Sequence, residues 1–309
     1  MLVSVVMPIY NRAHLVPRVV GSLCAQTYRN LDIIIADDCS TDDLPGAVAA
    51  LNDPRVRIVR REMNGGVAAA RNTGVQAAMA ALIAFHDSDD YCTADRIDLS
   101  VRALLALPED YIGVYGARLI YNEVGEKNYE MMRTEILPRP GTRPLSGDLS
   151  ARTMRGNILN FPTLLVKTEA LRAAGPSDVL LRKNVDWDLS LRLTLQGKFG
   201  FVPEPLVLTP TTLDPDVSAA RVSRSVRQGA RSFIRISGKL RRQGVDGTVL
   251  SRHYGTTGRY LMRLDRPRFA RRFFRASLAR APLQPKTWLH YAFSFMPGLH
   301  SRLRKKRRL

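Results

Sequence analysis

Cysteine is scarce in these 309 residues, and the three present, Cys24, Cys39 and Cys92, show no paired spacing. That excludes a disulfide framework and a C-x-x-C zinc or redox site, and it suits a reducing compartment with incidental thiols. The Gly65-Gly66 pair is not spaced as G-x-G-x-x-G, so the dinucleotide fingerprint is missing. No internal repeat is visible. The amino terminus lacks the basic stretch and cleavage site of a secretory leader, so the chain is expected inside the cell. Acids are nearly missing from the last third. From Asp216 onward 24 Lys and Arg face three acids, whereas the residues up to Pro215 carry 23 basic and 25 acidic side chains. The net charge of +19 therefore belongs to a polybasic appendage on a slightly acidic globular part, and such a tail seeks phosphates on lipid or nucleic acid.

What is present is a 45% hydrophobic chain, enough for a substantial core. Short apolar runs at Leu2–Met7, Asp32–Ala36, Val56–Val59, Ala81–Phe85 and Tyr111–Tyr115 read as strands. Helical spacing or composition marks Leu15–Leu23, Ala47–Leu51, the alanine-rich Val67–Ala80 and Ile97–Leu107. The alternation predicts parallel pairing in a layered α/β sheet, whose ligand crevice lies beyond the carboxyl ends of its strands. Three polar clusters follow strands one, two and four: Tyr10-Asn11-Arg12, Asp37-Asp38 and Asp87-Ser88-Asp89-Asp90. All three are expected to converge on one crevice. After about Asp110 the pattern loosens, with Pro/Gly-rich loops (Leu137–Gly147), a strand at Thr163–Val166, an amphipathic helix at Trp187–Leu195 and strand-like Phe199–Val202 and Pro203–Leu208. Val217–Leu309 reads as basic helices broken by Gly and Pro. The predicted divisions are 1–108, 109–212 and 213–309.

Packed carboxylates repel one another, and a divalent cation relieves that repulsion. Oxygen ligands suit Mg²⁺ or Mn²⁺, and Mg²⁺ typically uses one or two carboxylates plus substrate phosphates. The acidic turn is thus a candidate seat for a metal–diphosphate pair; the alternative is a solvated turn with Asp90 or Thr93 capping the next helix. Asp37-Asp38 is either a turn or an acceptor for ribose or base groups. Arg71, after Gly65-Gly66, is either a surface arginine or a partner for phosphate oxygens. Asp186, at a helix start, is either a cap or a general base.

The order of these stretches resembles the family 2 glycosyltransferases of GT-A fold. The resemblance rests on Val3–Arg12, Gln26-Thr27-Tyr28, Ile35–Asp42, Asn64-Gly65-Gly66-Val67 through Ala70-Arg71-Asn72, Phe85–Asp90 and Asp186-Trp187-Asp188-Leu189, and covers about residues 2–208. It implies an inverting transferase with a nucleotide-diphosphate sugar donor, UDP-linked by preference, a divalent metal (Mn²⁺ or Mg²⁺), and a saccharide or lipid-linked acceptor. By the same resemblance Pro8, Tyr10, Arg12, Asp38, Arg71, Asp87 and Ser88 serve the nucleotide, Asp89 ligates the metal and Asp186 is the catalytic base. Val185 stands where the family usually has Glu, Cys39 where Gly is common, and Thr209–Asp216 lacks the His often found there. The tail prompts a second reading, nucleic-acid binding, although no recognition fold accompanies Arg271-Arg272-Phe273-Phe274-Arg275 and Tyr260; a third is an inactive GT-A-like binding module. For Trp288–Leu299, twelve mostly apolar residues ahead of Arg302–Arg308, the expectation is attachment at the cytoplasmic face of an anionic membrane, since a span needs ~20 residues.

Overall fold

The computed structural model describes residues 1–122, 132–137, 146–210 and 225–296. It falls into two compact units, residues 1–180 with 185–220, and residues 181–184 with 221–309. The strands expected in 1–108 and in 109–212 share one sheet within the first unit.

In that unit β1 (Val3–Ile9), β2 (Leu31–Asp37), β3 (Val56–Arg60) and β4 (Leu82–Phe85) lie in the order β3-β2-β1-β4, all parallel. Between them run α1 (Val16–Cys24), α2 (Leu44–Ala49) and α3 (Val67–Ala77). Both sheet faces are covered, which is why β1 and β2 read as continuous apolar runs rather than alternating ones. Val3, Val5, Met7 and Ile9 enter one core with Ile33, Ile35 and the Val16, Val19, Val20 and Leu23 stripe of α1. Val6 and Ile34 enter the other. Each such side chain contributes about 1.5–3 kcal/mol on burial.

β5 (Tyr91–Cys92) and α4 (Arg96–Leu105) lead to β6 (Tyr111–Asn122) and β7 (Met132–Leu137). α5 (Ser150–Thr153), β8 (Leu165–Lys167), α6 (Thr168–Ala174), α7 (Val185–Thr194) and β9 (Lys198–Pro210) come next. The first four strands are parallel, as the alternation predicts, and beyond them the sheet turns mixed. β4 pairs antiparallel with β8 and β8 antiparallel with β6, while β6 and β9 are parallel and β5 and β7 join antiparallel, giving a nine-stranded mixed sheet among the described residues. The reversal results from β8 entering between β4 and β6, a placement that no periodicity in the sequence encodes. The two strand-like stretches after Phe199 are one continuous strand, and the Pro203 and Pro205 positions coincide with register shifts against β6, where a missing N–H is tolerated.

Helix α3 carries small residues on its inner side. Ala68, Ala69, Ala70 and Gly74 are buried, and a Cβ at Gly74 would come within 2.5 Å of Val6. The helix therefore lies close against β1 and β2 and draws Arg71 inside.

The second unit contains α8 (Val226–Arg242), α9 (Gly247–Arg263), α10 (Pro267–Leu278) and α11 (Pro285–Phe293). Ser225 and Asp246 cap the first two by accepting from Gln228 N and Thr248 N, and prolines at the first turns start the last two. Leu261, Met262, Ala270 and Phe274 form its core with Tyr291 and Phe293 packed against them. These are the basic helices, broken at Gly and Pro, that composition implies.

Candidate active site

The carboxyl ends of β2, β1 and β4 lie side by side, with Asp37 paired in register to Ile9 and His86 N donating to Val6 O at 3.1 Å. The three polar clusters therefore meet along one edge, and hydrogen bonds tie them together. Asn11 N donates to Ser40 Oγ at 3.0 Å, Thr41 N to Asn11 Oδ1 at 2.7 Å, and Ala13 N to Asp42 Oδ2 at 2.7 Å. Two residues of this latch have left-handed backbone, Asn11 at φ 49° and Cys39 at φ 67°. Asn adopts that region readily, whereas Cys39 adopts it at a steric cost that a glycine there would not incur.

Asp38 is almost fully buried, and its two oxygens accept from Gly65 N (2.9 Å) and Gly66 N (2.6 Å) while Arg61 Nε sits 3.0 Å away. Its neighbour Asp37 accepts from Ser40 N and pairs with Arg60 Nη1 at 3.1 Å. The acid pair ending β2 is thus answered by an arginine pair ending β3, a match that the register Asp37↔Arg60 makes geometric. Sequence reading passes over Arg60-Arg61, although two basic residues after a strand next to two acids after its neighbour are a usable signal. Gly66, at φ 84° and ψ 172°, occupies a region open essentially to glycine alone and starts α3.

The acidic turn after β4 is held from behind. Arg96 Nη1 donates to His86 Nδ1 at 2.9 Å, so His86 Nε2–H donates to Asp90 O at 3.1 Å. Arg96 Nη2 also binds Phe85 O. Burial, then the charge of Arg96, keeps His86 well below its ordinary pKa, so it serves this strut as a neutral ring. Gln26 clamps the same region, donating to Thr93 O (2.6 Å) and accepting from Ile97 N (3.0 Å). Neither Asp90 nor Thr93 caps α4, whose N-cap position is Asp95.

On the open side, Arg12 Nη1 donates to Ser88 Oγ at 2.7 Å and stands 3.6 Å from Asp89 Oδ2. Pro8 is buried in β1 and Tyr10 is 46% exposed at its end. Asp87 faces Asp186, Asp90 and Asp89. Enclosure by protein first, then repulsion from these three, pushes its carboxyl well above the ordinary range, with Arg71 opposing. Asp90 is raised by burial and by Asp89, opposed by Thr209, Arg118 and Arg96.

Asp186 lies in the first turn of α7, its side chain 41% exposed, with Oδ1 2.8 Å from Arg71 Nη1. Trp187, Leu189, Leu191 and Leu193 are all buried behind it, and Trp187 Nε1 donates to Thr153 O. Asp188 pairs with Arg192 and takes no part in the edge. Asn72, beside Arg71, exchanges two hydrogen bonds with the Ser177 backbone at 2.9 and 2.7 Å and so fixes the chain ahead of α7. Among the described residues no group of three or more His, Cys, Asp or Glu is arranged to hold a metal ion. Residues 211–216, in the loop where the family's His was sought, lie outside the described residues.

A sequence model described as Glycosyl transferase family 2 matches residues 4–166. WcaA of Escherichia coli (strain K12), named as a glycosyl transferase of colanic acid biosynthesis, is 30% identical over 200 residues, 60% of this chain and 67% of WcaA. The WfgD protein of Escherichia coli, a UDP-Glc:alpha-D-GlcNAc-diphosphoundecaprenol beta-1,3-glucosyltransferase, is 36% identical over 104 residues, 34% of this chain. That match spans 41% of WfgD, under half its length. Residues 1–349 of S. aureus TarS, solved in complex with UDP-GlcNAc, superpose with a TM-score of 0.67 at 16% identity, covering 97% of this chain and 92% of that one. At that identity the likeness establishes the fold, the GT-A type α/β layering that the sequence leads one to expect.

Substituting Gly66→Ala is expected to lower unfolding free energy by about 1–3 kcal/mol, the cost of forcing a side chain into that backbone region. Urea unfolding checks it; an unchanged midpoint would contradict the left-handed backbone at Gly66.

Proposed function

Because this chain belongs to glycosyl transferase family 2, we propose that it is an inverting glycosyltransferase. It moves a sugar from a nucleotide-diphosphate donor, UDP-linked by preference, to an acceptor hydroxyl. The observation that carries this reading is the meeting of Asp186 with the Asp87–Asp90 turn: a half-exposed carboxylate stands beside a crowded acidic turn at the carboxyl edge of parallel strands. Asp186 takes the proton of the acceptor hydroxyl, whose oxygen attacks the anomeric carbon from the face opposite the diphosphate. The bond to the diphosphate oxygen breaks, and its electron pair leaves with that group. Pro8, Tyr10, Arg12, Asp38, Asp87 and Ser88 are the residues proposed to line the nucleoside and diphosphate.

The carboxylates suit a divalent cation. Asp87 is pushed up first by burial and then by repulsion from Asp186, Asp90 and Asp89, and an added positive charge relieves both. With no cluster of three ligands among the described residues, Asp89 would hold Mn²⁺ or Mg²⁺ alongside donor phosphates, the usual habit of Mg²⁺. Such an ion stabilises charge on the leaving diphosphate.

A saccharide or lipid-linked acceptor in cell-surface polysaccharide or glycolipid synthesis is proposed from the relatives' names: WcaA is named for colanic acid, and WfgD for a diphosphoundecaprenol acceptor. Peripheral attachment to the cytoplasmic face of a membrane has separate support in α11. Trp288, Leu289, Ala292, Phe295 and Met296, spaced i, i+1, i+4, i+7 and i+8 along and just past the helix, are exposed, while Thr287 and Ser294 are buried. The apolar side thus faces outward, near basic Lys286 and with Arg271 over the Phe295 ring at 4.6 Å. No helix among the described residues is long and apolar enough to cross a membrane, but this one can lie in an anionic interface. Arg302–Arg308 lies outside the described residues.

Asp186→Asn is expected to retain donor affinity and lose about 10²–10⁴-fold in transfer rate; normal turnover rejects the base. Asp89→Ala is expected to abolish the gain in donor affinity on adding Mn²⁺, read by calorimetry with and without the ion. Replacing Trp288, Leu289 and Phe295 by Ser is expected to release the full chain from phosphatidylglycerol vesicles in flotation, and unchanged flotation removes the α11 surface.

A further inference from the structure

Resemblance assigns Arg71 to the nucleotide, yet its surroundings point elsewhere. The side chain is only 2% exposed. Its guanidinium carbon lies 4.3 Å from the centre of the Phe161 ring and 5.7 Å from that of Phe85. The two rings touch each other, their centres 4.6 Å apart, so the planar cation lies against one side of the pair, chiefly over Phe161, and that contact restricts its rotation and aims it. What it is aimed at is Asp186, at 2.8 Å. Among the described residues neither Nε nor Nη1 has a hydrogen-bond partner, so the group is not fixed by a donor network of its own and its contact with Asp186 is an ion pair. It is fixed by stacking and by one carboxylate. Asp186 has two rotatable bonds and is 41% exposed, with Asp87 beside it. Left alone, it would turn away from the acidic turn toward water.

We infer that Arg71 is a positioning residue for the transfer step, acting through Asp186. The inference rests on the glycosyltransferase reading and deepens it. By engaging Oδ1, Arg71 leaves Oδ2 to accept the acceptor's proton, and it sets the direction from which that proton arrives. A carboxylate misplaced by about 1 Å loses on the order of 10²-fold in rate. Phe161 belongs to the same device, since it holds the plane of the guanidinium. The segment from α5 through β8 thereby reaches the chemistry without a polar group of its own.

The test separates positioning from phosphate binding. Arg71→Lys keeps the charge but loses the planar fork. It is expected to lower kcat about 10–10²-fold while KM for the donor, and the calorimetric affinity for UDP with Mn²⁺, stay within about twofold. In an Asp186→Asn background the same change is expected to have no further effect, because residues acting as a unit are non-additive. A structural role would multiply the two losses. Phe161→Leu keeps both charged partners and serves if the lysine variant folds poorly; its expected kcat loss is smaller, with the same masking by Asp186→Asn. Weakened UDP affinity in Arg71→Lys, or multiplicative losses in the double variant, overturns the inference. Affinity is measured without turnover, so it remains decisive even if the transferred sugar differs from that proposed. A wild-type chain that hydrolyses and transfers no nucleotide sugar defeats the functional reading instead.

Discussion

Charge balance along one edge of the sheet is the constraint on which the rest of this structure depends. Asp37, Asp38, Asp87, Asp89, Asp90 and Asp186 are brought together by strand order. At an effective dielectric near 20, two unit charges 4 Å apart interact by about 4 kcal/mol, so unanswered acids there would oppose folding. Arg60 and Arg61 answer the pair after β2, Arg12 reaches Asp89, and Arg71 meets Asp186. Asp87, enclosed by protein and then repelled by three neighbouring acids, holds its proton more tightly as a result. The site's reactivity toward cations is the remainder of that balance.

The balance in turn rests on packing. The small residues of α3 allow it to press on β1 and β2, and that closeness brings Arg71 against the Phe161 and Phe85 pair. The clasp of Asp38 on Gly65 and Gly66 fixes where α3 begins, so an acid at the end of β2 helps determine where an arginine in α3 stands. His86 and Arg96 hold the acidic turn from the opposite side. Site and core are continuous here.

Much of the first half is legible in the sequence because period and punctuation agree there. Apolar runs ended by Pro8, Asp37 or Asp87 mark buried parallel strands, and the polar residues after them fall together by a rule of topology rather than of sequence. The second half is less legible. β8 is three residues long, and although Thr163–Val166 reads as a strand, nothing in it names a partner, so its insertion beside β4, and the change of strand direction that it causes, depend on tertiary pairing alone. Individual roles are harder still. Asp38 as a clasp, Gln26 as a clamp and Asn72 as a tie are set by partners 27 to 105 residues away, and a short polar side chain does not announce a distant backbone. Arg60-Arg61 becomes visible only when the ends of adjacent strands are set side by side.

The direction change at β8 has a consequence for how such chains diversify. Up to β4 the polypeptide forms a self-consistent parallel layer whose loops latch to one another. Within the sheet, the chain downstream of that layer pairs with it through a short antiparallel seam of three residue pairs, Leu82–Lys167 to Ala84–Leu165, while both apolar cores and the Gln26 and Asn72 ties run across the join. The backbone ladder there is thus the small part of the attachment: a different downstream segment can replace this one only if it returns matching apolar faces together with an aromatic ring and an aspartate in the same places.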